Sequence, residues 1–369
     1  MVYKCDITEL KTIVGKHYET KTPIFVYGGY GVGKSSAIKQ IGQELAVKEK
    51  RQFMLWDETT EEQKKKIEAK PESYFVLFDE RLSQNDISDL KGIPAMFNNN
   101  ESVEWKIPRW LNLTTNKKLN GIIFFDELNL ASLSVQASCY KIINDRTLSD
   151  KKISEGMFIM GAGNRIQDSS NVFPIPAPLR DRMSEVELTF NDNCWFDWAE
   201  KQSFDTRIIS FLKYKPSYCN KVEESKESKS ATPRGWERCN NQIKGLELNQ
   251  IEPLISVAVG EVMGTEMVSF IKLSDQVDIS KILNKPSEVK KLDESSLKYS
   301  VCSAISEKYS KNRKLLHKII DVANELEIEF GMLLLRLCKS IDTAHFTKEG
   351  IKHKNFMKIA SNYTDIMSS

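Results

Sequence analysis

Paired cysteines, clustered histidines and long apolar runs are all missing from this sequence, and each absence removes a class of protein. The seven cysteines, at 5, 139, 194, 219, 239, 302 and 338, include no C-x-x-C pair and are odd in number. That pattern argues against a disulfide framework or a zinc knuckle and for reduced thiols. The four histidines, at 17, 317, 345 and 353, fall at no metal-ligand spacing. No apolar run reaches membrane-spanning length, and Met1-Val-Tyr-Lys-Cys5 lacks the apolar core of a signal peptide. The expectation is a cytoplasmic chain with no membrane segment and no structural metal. Strong charge of either sign is missing too. A net charge of +2 over 369 residues selects neither nucleic acid nor an anionic membrane as a partner.

What is present falls into three zones. From 1 to 190, short apolar runs alternate with amphipathic stretches, which predicts an α/β sheet domain. Five strands are expected: Pro23-Ile-Phe-Val-Tyr27, Tyr74-Phe-Val-Leu-Phe78, Gly121-Ile-Ile-Phe-Phe125, Met157-Phe-Ile-Met160 and 184–190. Runs apolar at consecutive positions suit parallel strands covered on both faces. Leu130, Leu133, Ala137, Tyr140 and Ile143 recur at helical spacing and predict a crossover helix. From 191 to 272 the pattern is helical, with a stripe of Ile251, Leu254, Ile255, Ala258 and Val262 and a polar loop at 223–229. The zone 273–369 is also helical, densest at 316–337. Asn98-Asn-Asn100 reads as a loop tip, and the charged stretch 61–70 as a solvated helix face.

The chemistry is expected at the strand ends. The first predicted strand runs into Gly28-Gly-Tyr-Gly-Val-Gly-Lys-Ser35, which satisfies G-x-x-x-x-G-K-S/T. Glycines let successive backbone N–H groups turn toward phosphate oxygens, and the next helix adds its positive end. Lys34 would reach the β- and γ-phosphates and Ser35 would hold Mg²⁺. Ile122-Ile-Phe-Phe-Asp-Glu127 ends an apolar strand in two acids. Asp126 suits the Mg²⁺ contact and Glu127 the polarisation of an attacking water. In Gly161-Ala-Gly-Asn164, Asn164 can orient that water. Pro178-Leu-Arg-Asp-Arg182 places a guanidinium where it could enter a neighbouring subunit's site, worth on the order of 10³–10⁵ in rate. Thr232-Pro-Arg-Gly-Trp236 opens a helix, with Thr232 as cap and Arg234 projecting from the first turn.

The order of these motifs resembles the AAA+ ATPases, and within them the MoxR-like branch, over residues up to about 272. Asp86-Ile-Ser-Asp-Leu-Lys-Gly-Ile-Pro94 with Trp105-Lys-Ile-Pro-Arg-Trp110 resembles the insertion in that branch's second helix. Arg146-Thr-Leu-Ser-Asp-Lys-Lys-Ile153 resembles its hairpin before the first sensor strand. The resemblance implies a P-loop NTPase AAA+ core with a parallel five-stranded sheet (1–190), a helical lid carrying sensor 2 (191–272) and a helical extension (273–369). It implies ATP and Mg²⁺ as cofactors, bound by Gly28, Gly29, Tyr30, Gly31, Val32, Gly33, Lys34, Ser35, Ser36 and Asp126, with Ser35 and Asp126 as metal ligands. Glu127, Asn164, Arg182 and Arg234 are the implied catalytic set, with Arg180 competing for the finger role because Met183 replaces the usual aromatic. It further implies a hexameric ring that remodels or matures a protein partner bearing a von Willebrand factor A domain. The alternatives are a nucleic-acid motor, with Lys151 and Lys152 on the hairpin tracking phosphates, and a nucleotide-switched scaffold. The phosphate loop reads phosphates and leaves ATP against GTP open.

Overall fold

The computed structural model describes residues 2–97, 102–148, 151–165, 168, 172–221, 230–354 and 356. The expected loop tip at 98–100, the polar loop at 223–229 and the hairpin turn at 149–150 lie outside the described residues. Two compact units emerge, Met1–Asn191 and Asp192–Ser369.

In chain order the first unit comprises β1 (Tyr3–Cys5), α1 (Ile7–Thr20), β2 (Ile24–Gly28), α2 (Lys34–Lys48), β3 (Gln52–Leu55), α3 (Glu61–Ala69), β4 (Tyr74–Arg81) and α4 (Ile87–Lys91). It continues with β5 (Ile93–Phe97), β6 (Ser102–Lys106), α5 (Arg109–Thr114), β7 (Asn120–Asp126), α6 (Leu133–Asp145), β8 (Thr147–Leu148), β9 (Lys151–Lys152), β10 (Met157–Gly163), α7 (Ala177–Arg180) and β11 (Ser184–Leu188). Seven strands form one sheet in the order β1-β11-β2-β10-β7-β4-β3. All of its pairings are parallel.

The consecutive apolar residues of each strand divide between the two faces. Phe25, Val76, Phe78, Ile123, Phe125 and Ile159 enter one core, with α6 against them. Ile24, Val26, Phe75, Leu77, Ile122, Phe124, Phe158 and Met160 enter the other, with α1 and α2. A side-chain period of two on a sheet buried on both sides produces this partition. At about 25 cal/mol per Å² of apolar surface, the two cores supply the main stabilisation of the unit.

The five-strand expectation is corrected to seven. The additional strands, β1 and β3, are edge strands of three and four residues, and half or more of each is exposed or only half-buried. Strand β1 carries no apolar run to read, and the run of β3 is only Phe53-Met-Leu55 before Trp56. Two further strand pairs stand outside the sheet as antiparallel hairpins, β5 with β6 and β8 with β9. They fall in the two segments that resembled insertions.

Register aligns the carboxyl ends of the strands. Gly163 is the Cα partner of Tyr27, Leu188 of Gly28, and Arg81 of Asp126. That shared edge is where α/β sheets bind ligands.

The second unit is helical: α8 (Asp192–Lys201), α9 (Thr206–Tyr214), α10 (Pro233–Ile243), α11 (Leu248–Val259), α12 (Glu261–Lys272), α13 (Ile279–Asn284), α14 (Ser295–Lys311), α15 (Leu316–Glu325), α16 (Ile328–Ile341) and α17 (Thr343–Gly350). Helix α14 packs against α9, α12 and α16. Thr232 caps α10 by accepting from the Gly235 N–H at 3.1 Å. The expected stripe through Val262 stops short of it. Gly260 at φ 109 ends α11, and Val262 lies 59% exposed on α12. A glycine in that backbone region interrupts the helical phase on which such a stripe depends. No helix of the described residues is long and apolar enough to cross a membrane.

Candidate functional site

The site is built at the aligned strand ends of the first unit. Beyond β2, Gly31 and Gly33 adopt φ of 67° and 98°, the left-handed region where a Cβ is costly. Their turn delivers the chain into α2 with Gly33 as N-cap and no side chain on its first amides. Those N–H groups and the helix dipole are left for an anion.

Lys34 opens α2 and folds back over the loop. Its Nζ donates to the carbonyls of Gly28 at 2.8 Å and Gly29 at 3.1 Å, and to Asn164 Oδ1 at 3.0 Å. The Ser35 hydroxyl donates to Asp126 Oδ2 at 2.7 Å. Two neighbouring residues at the start of α2, Lys34 and Ser35, therefore reach the ends of two strands, Asn164 after β10 and Asp126 at the end of β7. Two hard oxygens side by side on Ser35 and Asp126 fit Mg²⁺, which takes few protein ligands and keeps its waters.

Glu127 follows β7 in the left-handed region at φ 56, a conformation costing on the order of 1–2 kcal/mol outside glycine. It turns the chain sharply, and the Asp126 carboxylate accepts the Glu127 N–H at 2.9 Å. The Ser83 hydroxyl donates to Glu127 Oε2.

Asn164 is buried and held by a reciprocal bond. Asn129 Nδ2 donates to the Asn164 carbonyl at 2.7 Å, and the Asn164 N–H donates to Asn129 Oδ1 at 3.1 Å. Gly163 makes the approach possible: a Cβ there would lie 2.1 Å from Asn129 Oδ1.

Charged residues at the end of β4 crowd the same edge. Burial pushes the Asp79 carboxyl up to about 6, with Asp126 nearby adding to the shift, and Asp79 Oδ1 is buried with no hydrogen-bond partner among the described residues. Burial pushes Glu80 up to about 7, against a hydrogen bond from Asn85 that favours its charged form. The sequence reading missed this part of the strand because charges end an apolar run. It also missed Ser83, Asn129 and Arg165. For Asn129 a signal existed, an amide just after the acidic pair.

The two arginines near β11 differ. Arg180 grips Glu185 with two bonds, at 2.9 and 2.7 Å, and Glu185 also accepts from the Tyr27 hydroxyl at 2.9 Å. Arg182 is exposed, and among the described residues its guanidinium makes no hydrogen bond or ion pair. No such contact joins it to the Lys34 cluster. Met183 beside it is buried in the core. Arg234 belongs to the second unit, exposed on the first turn of α10.

Residues 8–154 match the KAP family P-loop domain. The match covers under half of the chain and ends before Asn164, Arg182 and Arg234. No curated protein matches the chain. Among solved structures, AMPPCP-bound DnaA from Aquifex aeolicus is 14% identical, with 95% of this chain and 90% of that chain covered at a TM-score of 0.32. PCH-2 of C. elegans is 12% identical over 83% and 70% at 0.30. A RuvB variant from Thermotoga maritima is 13% identical over 79% of each chain at 0.29. At these identities and scores the likenesses bear on neither activity nor partners. With the phosphate loop at the end of β2 and the matched segment containing both it and Asp126-Glu127, the first unit has the α/β P-loop NTPase fold with a seven-stranded parallel sheet.

Proposed function

We propose that this chain is an ATP-hydrolysing AAA+ protein of the MoxR-like type, working as a subunit of a ring that remodels or matures a protein partner. The observation that carries the hydrolytic part is the convergence of Lys34, Ser35, Asp126 and Asn164, with Glu127 beside Asp126. A protein that only bound nucleotide would have no use for a second carboxylate at that point.

In this reading Lys34 leaves the Gly28 and Gly29 carbonyls for phosphate oxygens, which its charge prefers to neutral carbonyls. Ser35 and Asp126 would hold Mg²⁺, which would supply neutralisation of the phosphate charge. Glu127 polarises the water that attacks the γ-phosphorus, and Asn164 orients it. The bonds with Asn129 fix the Asn164 backbone from which that side chain projects.

The ring rests on Arg182. Arg180 is committed to Glu185, whereas the guanidinium of Arg182 is exposed and meets no hydrogen-bond or ion-pair partner among the described residues, as expected of a residue serving a neighbour's site. A partner carrying a von Willebrand factor A domain follows from the family resemblance alone.

The test is Glu127→Gln. ATP binding is expected to survive while turnover falls by about 10² or more. The same variant used as bait should retain the protein partner in its ATP-bound form. Unchanged turnover would remove Glu127 from the mechanism, and recovery of nucleic acid in place of protein would overturn the choice of target.

A further inference from the structure

Arg165 is absorbed by none of the roles above, yet it stands against the phosphate loop. Its guanidinium donates through Nε to Asp168 Oδ2 at 2.7 Å, through one terminal nitrogen to Asp168 Oδ1 at 2.8 Å, and through the other to Glu187 Oε1 at 3.2 Å. Both carboxylates are largely buried, at 15% and 14% side-chain exposure.

The sheet order explains what this contact spans. Strand β2 lies between β10 and β11. Arg165 leaves the end of β10, while Glu187 lies on β11 and is the Cα partner of Tyr27 on β2. The side chain therefore arches over the exit of β2, where the phosphate loop begins. A Cβ on Gly29 would lie 3.3 Å from the nearest guanidinium nitrogen, so the arch rests on the loop itself. The Gly29 carbonyl accepts from Lys34, and Asn164, next to Arg165 in the chain, accepts from the same amine.

We propose that Arg165 is a positioning residue for nucleotide binding at this site. It braces the root of the phosphate loop and offsets one of the two negative charges of Asp168 and Glu187, carboxylates that would otherwise repel the incoming phosphates more strongly. The proposal rests on the reading of Gly28–Ser35 as a nucleotide site. A bidentate arginine pair is geometrically specific, and removing it leaves two carboxylates without their counter-charge. Their repulsion acts on the bound nucleotide and its transition state alike. It therefore raises KM and leaves kcat nearly unchanged.

The experiment measures ATP turnover and the binding of a fluorescent ATP analogue for the wild-type chain, Arg165→Ala, and Arg165→Ala combined with Asp168→Asn and Glu187→Gln. Arg165→Ala is expected to raise KM and the dissociation constant about tenfold, with kcat within about twofold. The defect should shrink between 50 and 500 mM salt, since screening shortens the reach of the two bare charges. The triple variant should recover most of the lost affinity, an effect that a merely structural role would not give. A KM within about twofold of wild type, or a kcat falling as steeply as kcat/KM, would overturn the proposal. Absence of binding by the wild-type chain would instead overturn the nucleotide reading beneath it.

Discussion

The Ser83 hydroxyl, just beyond β4, donates to the carboxylate of Glu127, just beyond β7. The general-base candidate is therefore engaged by its own chain. A water in line for attack must compete for that carboxylate with a donor already in place. Ser83→Ala removes the competitor at a cost of about 1 kcal/mol in resting contact. The expected outcome is basal ATP turnover raised about two- to fivefold with KM unchanged. A turnover assay checks it, and reduced turnover would make Ser83 an orienting partner of Glu127.

Arg182 and Arg180 should separate cleanly. Arg182→Ala is expected to lower turnover by on the order of 10³ with ATP binding intact. Arg180→Ala breaks an ion pair to Glu185 on a side chain that is 52% exposed, and should change stability by about 1 kcal/mol or less. Mixing Arg182→Ala with Glu127→Gln subunits tests whether the guanidinium acts in the next subunit. Activity restored in the mixture would require one subunit's arginine to complete another's site.

Glu80 gives a pH dependence with a definite sign. Its folded-state pKa is raised by burial from 4.5 to about 7. Between those values the folded state binds the proton and the unfolded state does not, so stability from this group falls as pH rises through that window and is level above it. Glu80→Gln abolishes the penalty. The difference in Tm between variant and wild type should be near zero at pH 4.5 and positive by pH 8, which thermal melts across that range would record.

Gly163 admits no side chain. A Cβ would meet Asn129 Oδ1 at 2.1 Å, its Cγ at 2.6 Å and the Phe25 ring at 2.8 Å. Gly163→Ala is expected to destabilise the first unit by about 2–4 kcal/mol and to lower turnover through displacement of Asn164. Denaturant midpoints and kcat measured together check both effects.

Much of this was legible in the residues alone, for identifiable reasons. Tyr27, Phe125 and Met160 end apolar runs, and such runs announce buried parallel strands. The phosphate loop and the Asp126-Glu127 pair are local in sequence, so spacing carries them. The rest depends on relations that no local pattern encodes. Strand β1 is too short and too exposed to stand out, β3 is too short, and the charged end of β4 reads as a loop although Asp79, Glu80 and Arg81 continue its pairing with β7. Asn129 meets Asn164 across 35 positions, and Ser83 meets Glu127 across 44. The unequal commitments of Arg180 and Arg182 became visible only when Glu185 was seen to face the former.

Strand β10 is tied at both ends. At its carboxyl end stands Asn164, bonded to Lys34. At its amino end Arg146, which opens the β8–β9 hairpin, donates to the carbonyls of Ser154 at 2.8 Å and Met157 at 2.6 Å. Between them run seven buried residues, the first five paired with β7 and the last four with β2. A strand of that length is roughly 20 Å long. Asn164 and the hairpin root at Arg146 are therefore the two ends of one buried strand, which joins the phosphate end of the sheet to its opposite rim.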